Sequence, residues 1–331
     1  MALPPVKVQL AITKEQTKHN IEANLKQLPN FFSQMFYPNG FEAIIVSGGP
    51  SLEKYVTELN LKERMESPDR GFVLFCVKHA LPRLLEMGIE PDFCVILDGR
   101  PLNDDSTHGV NRKSLFKKIP EKTIFLVASM SHPDYGKYLM DQGARVLGWH
   151  TQVDGLNDYD IREPIITGGT SSGTRCIAIA HALGCRQQTL VSFDSCIKDP
   201  TPEQLQEKDR KGRQKYIPVD LSIKNYQLTD DQQKLLEQLG QTFGEGTNIG
   251  YKGEVIKRFY STGELLAQAQ DFEKIFASPT FDVEYKVYDD GLVSHMFTHG
   301  TVVTRGYSFV EYFKNIVPRK SHAEVPKRTV S

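Results

Sequence analysis

Short apolar runs alternate with helical patterns between residues 43 and 194, and few architectures accept that arrangement. The runs cover residues 43–47, 72–77, 93–98, 123–129, 145–149 and 189–194. Each is almost continuously apolar, as a strand must be when both of its faces are covered. Between the first two, Leu52, Tyr55, Val56 and Leu59 fall at i, i+3, i+4 and i+7, one face of a helix. Leu81, Leu84 and Leu85 repeat the pattern ahead of Gly88. Cys176, Ile177, Ile179, Ala180 and Leu183 make a helix that is apolar on most sides and ends at Gly184, as suits a helix packed between layers. Strands of this kind separated by helices predict an α/β fold with a doubly wound, mostly parallel sheet and helices on both faces.

The flanks differ in character. Residues 1–40 are polar, with a helix predicted over 14–32 and a turn at Phe36-Tyr-Pro-Asn-Gly40. Residues 198–250 are polar and read as an insertion or lid. Its basic cluster Lys208, Arg210, Lys211, Arg213 and Lys215 reads as a solvated loop. Thr229-Asp-Asp-Gln232 is a capping-box pattern opening a helix that stops at Gly240, and residues 244–250 form a loop. Ser261-Thr-Gly-Glu264 is a second such pattern, ahead of a helix carrying Leu265, Leu266, Ala269, Phe272 and Phe276 on its apolar side. Residues 281–291 alternate like a strand. The expected organisation is an N-terminal helical segment (1–40), a core (41–197), the polar insertion (198–250), a helical and strand extension packing on the core (251–317) and a disordered tail (318–331).

Charge and cysteine usage exclude several classes of function. The 40 basic and 41 acidic residues leave a net charge of −1, so no global field draws nucleic acid or an acidic membrane. No apolar run nears the roughly 20 residues of a membrane span. The start, MALPPVKVQLAITKEQ, lacks the basic region and apolar run of a signal peptide, and a cytoplasmic location is expected. The five cysteines are odd in number, lack CxxC spacing and mostly lie in or beside apolar runs, which predicts buried reduced thiols.

In an open α/β sheet, ligands bind at the carboxyl ends of the strands, which names candidates before any ligand is known. The first strand ends in Ser47-Gly48-Gly49-Pro50-Ser51. Glycines let a backbone turn tightly and let a ligand approach, Pro50 suits a helix start, and Ser51 can cap it. The motif fits an ordinary tight turn or a phosphate seat built from free amides at the helix start. A second glycine and hydroxyl run, Gly168-Gly169-Thr170-Ser171-Ser172-Gly173, also opens a helix, and its hydroxyls exceed what one cap needs. Two such loops in one sheet favour a nucleotide or sugar phosphate. Asp98 and Asp194 end strands and are candidates for a turn cap, a ribose contact, a metal or a proton acceptor. His79, His150 and Asp98 are the candidate general bases, and Lys78 and Arg100 the candidate phosphate partners.

The segments FEAIIVSGGPSLEKY, LPRLLEMGIEPDFCVILD, ITGGTSSGTRCIAIAHALGCRQQTLVSFD and EYKVYDDG, in that order, resemble the MptE-like family. That family takes in archaeal 6-hydroxymethylpterin diphosphokinases and the Maf motility-associated glycosyltransferases. GGPSL and SSG…AIAHALG…SFD are also similar to small bacterial CMP-sialic acid transferases, which implies a Rossmann-like sheet. The resemblance implies that Gly48, Gly49, Pro50 and Ser51 meet a nucleotide phosphate, that Ser171, Ser172 and Gly173 lie near the donor, and that Asp98 and Asp194 are the family's strand-end aspartates. One departure stands out: the family often has Gly-x-Gly-Pro-Ser, whereas Ser47 precedes Gly48-Gly49 here.

Three functions follow as expectations. The first is a glycosyltransferase using a nucleotide-sugar donor, a CMP-linked nonulosonic acid being the suspected one. The second is a diphosphokinase using ATP and magnesium, with Asp98 as the metal ligand and a pterin-like hydroxymethyl group as acceptor. The third is a nucleotide-binding protein without catalysis. The expected partner is the small-molecule donor; a glycan, a protein or a small molecule would each serve as acceptor. Gly49→Val and Ser172→Ala are expected to weaken nucleotide binding and leave the fold intact.

Overall fold

The computed structural model describes residues 11–103, 112–153, 156–208, 212, 214–226, 251–277, 282–297 and 307–308. The helix predicted over 229–240, the loop 244–250, Arg210, Lys211, Arg213 and the tail 318–331 lie outside the described residues.

Strands β1 (Asn39–Val46), β2 (Phe72–Val77), β3 (Phe93–Ile96), β4 (Ile124–Ala128), β5 (Arg145–Thr151), β6 (Ile165–Ile166), β7 (Cys185–Val191), β10 (Glu284–Tyr288) and β11 (Tyr307–Ser308) form one sheet. Its order is β11-β10-β7-β1-β2-β3-β4-β5-β6, and every pairing is parallel except β10 with β11. Ala43, Ile44, Ile45 and Val46 are all at 0% exposure. Successive strand residues point to opposite faces, so both faces of β1 are covered and the fold is α/β, Rossmann-like. The remaining strands, β8 (Ile217–Tyr226) and β9 (Tyr251–Ser261), pair antiparallel as a separate ribbon. Ile197 N–H bonds to Tyr260 O (2.8 Å), and Val219 and Phe259 are buried, which ties the ribbon to the core.

The helices are α1 (Lys14–Gln27), α2 (Leu52–Glu58), α3 (Leu61–Glu66), α4 (Leu81–Glu86), α5 (Pro133–Asp141), α6 (Ser172–Ala182), α7 (Pro202–Gln206), α8 (Gly263–Ala277) and α9 (Leu292–Phe297). α1 ends five residues before the predicted limit of 32 because Leu28 precedes Pro29 and is extended (φ −75, ψ 130). β7 begins four residues earlier than predicted. Its polar start hides it in the sequence, yet Gln188 is buried and its amide donates to Ile177 O (3.1 Å). α8 buries Leu266, Ala269, Phe272 and Phe276 as its pattern predicts, and Phe272 meets Phe193 edge-on at 5.3 Å. Its cap differs from the predicted one. Thr262 Oγ1 accepts from Leu265 N–H (3.3 Å), while the Ser261 hydroxyl donates to Ser195 O (2.7 Å). All five cysteines are buried and unpaired by disulfide. No helix among the described residues is long and apolar enough to cross a membrane.

Candidate functional site

The chain leaves β1 toward β2, winds outward to β6 and returns as β7 on the other side of β1. The topological switch point therefore lies between β1 and β7, where the first glycine loop and the Ser192-Phe193-Asp194-Ser195 turn meet. Ser192 (φ 59) and Ser195 (φ 50) are left-handed, a strained backbone that non-glycine residues seldom adopt.

The first glycine loop is packed shut against this turn. Asp194 Oδ2 accepts from Ser51 N–H (3.2 Å), the Ser51 hydroxyl (2.8 Å) and the Ser192 hydroxyl (3.0 Å), and its Oδ1 accepts from Asp290 N–H (3.2 Å). Ser47 N–H donates to Val191 O (2.9 Å) and Gly49 N–H to Ser192 O (3.1 Å). The expectation of free amides at this turn is thus not met at Ser47, Gly49 or Ser51. Nor does Ser51 cap α2, because its hydroxyl serves Asp194 instead. A β-carbon on Gly49 would run into the Asp194 carboxylate and Ser192, and one on Gly48 would sit 3.1 Å from the His79 β-carbon. Close packing of strand ends is what these glycines permit. Pro50 occupies the turn between them and α2.

The second loop is tied down in a similar way. Gly168 (φ 107) and Gly169 (φ 72) are left-handed. Thr170 offers its amide (2.5 Å) and hydroxyl (2.6 Å) to buried Asp271. Ser171 and Thr174 form the capping box of α6, and Gln268 donates to the Ser171 hydroxyl (3.0 Å). Gly173 lies against Phe193 and Gln268. Of the four hydroxyls, that of half-buried Ser172 has no hydrogen bond to a described residue. The structure brings both loops to the Ser192–Ser195 turn, the first against Ser192 and Asp194 and the second against Phe193.

A different constellation occupies the ends of β2 and β3. Asp98 is buried, and Lys78, Arg100 and Arg112 converge on it. Arg100 Nε bonds to Oδ1 (2.9 Å) and its other nitrogen to Oδ2 (3.1 Å), Arg112 Nε bonds to Oδ2 (3.1 Å), and the Lys78 ammonium pairs with Oδ2. Burial pushes the Asp98 carboxyl up, but the Arg100 bonds and the Lys78 charge overcome it and hold the acid well below the usual carboxylate range. Burial also lowers the Lys78 ammonium, with Asp98 opposing. Tyr135 borders the cluster, its ring centroid 5.3 Å from Lys78 Nζ. His79 follows Lys78 and is exposed; loss of solvation on its protein side and the Lys78 charge hold its imidazole below the ordinary value.

The loops bearing this cluster are set by α1. Asn20 Nδ2 donates to Gly99 O and Met130 O (3.1 Å each), and Asn24 Nδ2 to Ser129 O (2.9 Å) and Ser131 O (2.6 Å). His132 N–H in turn donates to Asp98 O (2.9 Å). Sequence reasoning missed Arg112, Tyr135 and this asparagine pair. The asparagines left a trace, being one turn apart on the face of buried Ile21; Arg112 left none. His150 lies elsewhere, fully buried at the end of β5.

A magnesium ion on Asp98 does not fit this donor set. Both carboxylate oxygens are engaged by three cationic side chains, and a further cation would meet their charge.

A family model described as 6-hydroxymethylpterin diphosphokinase MptE-like matches residues 15–200, more than half of the sequence. The chain belongs to the MptE-like family. No curated protein matches it. Among solved structures, the MAf glycosyltransferase from Magnetospirillum magneticum AMB-1 is similar at a TM-score of 0.50 and 14% identity, over 81% of this chain and 35% of that one. This chain therefore spans about a third of that protein's length, and the likeness is one of fold. The names on both sides are those of transferases.

Proposed function

We propose that this MptE-like chain is a nucleotide-dependent transferase that moves a sugar from a nucleotide-linked donor to an acceptor hydroxyl. The observation that carries the reading is the convergence of Lys78, Arg100 and Arg112 at the strand ends. Arginine forks match phosphate geometry, and Asp98 holds the cations in register for an arriving anion. Charge that develops on the departing phosphate would be stabilised by these fixed donors. His79 is the base that the geometry favours. It is exposed beside the cations and neutral at neutral pH; its lowered pKa makes it a weaker proton acceptor than a free imidazole, so position alone supports it. Asp98 is saturated with cations and His150 is buried, so neither is placed to take a proton from an acceptor.

A CMP-linked nonulosonic acid is the donor class that the sequence resemblance supports. The second reading, a magnesium-dependent diphosphokinase using ATP, draws on the family's description; the crowded Asp98 counts against it. Thermal shift with CMP, UDP, ADP and ATP, each with and without magnesium, separates the two, because a ligand of the folded state raises Tm. Stabilisation by CMP without magnesium is expected. Stabilisation by ATP alone, and only with magnesium, would overturn the sugar-transfer reading. CMP binding with no turnover of a CMP-linked sugar would leave a binding protein.

A further inference from the structure

The acid at the centre of the cation cluster lies past the end of the sheet ladder. β3 pairs with its neighbours no further than Ile96, so Asp98, Gly99 and Arg100 have no strand partner. Their backbone is held by the turn after β4 instead. Asp98 N–H donates to the Ser131 hydroxyl (3.3 Å), which donates to Ile96 O (3.3 Å), and Asp98 O accepts from His132 N–H (2.9 Å). The β4 turn itself leaves the ladder after Ser129, whose N–H still reaches Trp149 O. Two turns without strand partners therefore hold one another, and both rest on α1. Asn20, Asn24 and Gln27 fall at i, i+4 and i+7, one stripe of that helix. The Asn20 amide bridges Gly99 O to Met130 O, and the Asn24 amide bridges Ser129 O to Ser131 O. Gln27 Nε2 donates to Asn24 Oδ1 (2.8 Å) and to Pro133 O (2.8 Å), and the first of these bonds turns the Asn24 nitrogen toward its two carbonyls. Asn20 is 2% exposed and Asn24 0%, so bulk water does not compete for these acceptors.

We propose that Asn20 and Asn24 are positioning residues for the anion site: their amides clamp the turns after β3 and β4 together and thereby aim Arg100. Of the three cations, Arg100 is the one with access to solvent. Its side chain is 23% exposed, against 5% for Lys78 and 4% for Arg112. It is also the one nearest the clamp, a single peptide bond beyond Gly99, with its N–H (3.1 Å) and its Nε (2.9 Å) both on Asp98 Oδ1. A binding fork has to be held to about 0.5 Å and 10–20° to be productive. Alanine at either asparagine would leave two buried carbonyls without a donor, and the turns would move to satisfy them. The consequence for donor binding rests on the sugar-transfer reading; the hold on Arg100 does not.

The test is NMR of the full chain carrying isotope-labelled arginine, without nucleotide, with the Arg100 Nε–H signal assigned by its loss in Arg100→Lys. In Asn20→Ala and Asn24→Ala this signal is expected to shift and to exchange with water about tenfold faster, while circular dichroism shows the chain still folded. Ile21→Val loosens the same helix without touching the carbonyls and is expected to leave the signal in place. CMP affinity is expected to fall about tenfold in the asparagine variants and to hold in Ile21→Val. If the alanine variants unfold, Asn20→Ser carries the test, because its hydroxyl is too short to bridge both carbonyls. An Arg100 signal unmoved in the asparagine variants, or moved as far in Ile21→Val, would overturn the positioning role. A shifted Arg100 signal in a chain that binds no nucleotide would uphold the clamp and remove the transfer reading.

Discussion

Asp194 and Asp289 show how one residue's environment sets its role. Asp194 is surrounded by donors from three segments. Asp289 beside it is buried, with Oδ1 bonded to the Gly291 and Ser294 amides and Oδ2 without a partner among the described residues. Burial, then the Asp194 charge, push its carboxyl up to about 7. The folded chain thus holds this proton more tightly than the unfolded chain does. The stability it contributes is full below about pH 4 and is lost as pH rises through 7. Asp289→Asn is expected to raise Tm at pH 8 by several degrees and to flatten the fall of Tm between pH 5 and 8, as read by calorimetry at each pH. A second prediction concerns the anion site. Arg112→Lys keeps a charge but loses the planar guanidinium whose Nε bonds Asp98 and whose shape matches a phosphate, and nucleotide affinity measured by calorimetric titration should drop about tenfold, roughly 1.4 kcal/mol. Unchanged affinity would place the phosphate away from the cluster.

Elements meet here through short contacts that leave no room for side chains. Loop one, the Ser192–Ser195 turn and the turn before α9 interlock. Ser51 holds Asp194, Lys54 (2.6 Å) and Tyr55 (2.6 Å) hold Asp290, and Leu292 N–H returns to Asp194 O (2.7 Å). Gly49→Val should therefore lower stability by several kcal/mol, since the new β-carbon alone would have to displace Asp194 and Ser192. This differs from the sequence expectation that the variant spares the fold, and a denaturant melt decides between them. Ser172→Ala removes a hydroxyl with no described partner and is expected to leave the melt unchanged.

At the scale of the whole molecule, the family match ends at residue 200, yet the sheet continues. β10 pairs with β7 over five register positions, and α8 covers Phe193 with Phe272. A chain cut after residue 200 would expose the edge of β7 and the apolar surface beneath α8. It is expected to aggregate on size-exclusion chromatography and to lose a cooperative thermal transition. A soluble monomer with a sharp melt would show that residues 1–200 fold alone. The alternation of apolar runs was enough to read the parallel sheet, most strand limits, the helices after β1 and β2, and α6, because local periodicity reports which faces are buried. The same sequence placed Asp98, Lys78 and Arg100 as candidates by their position at strand ends. It could not show that they pair with one another and with Arg112, or that the first loop's amides are spent on β7 and Asp194. Those facts depend on which strand ends become neighbours, and residues 51 and 194 meet only once the chain has returned to the far side of β1. Hydrogen-bond partners are chosen by that topology, so side-chain chemistry was legible in the sequence, while its use was decided by the tertiary structure.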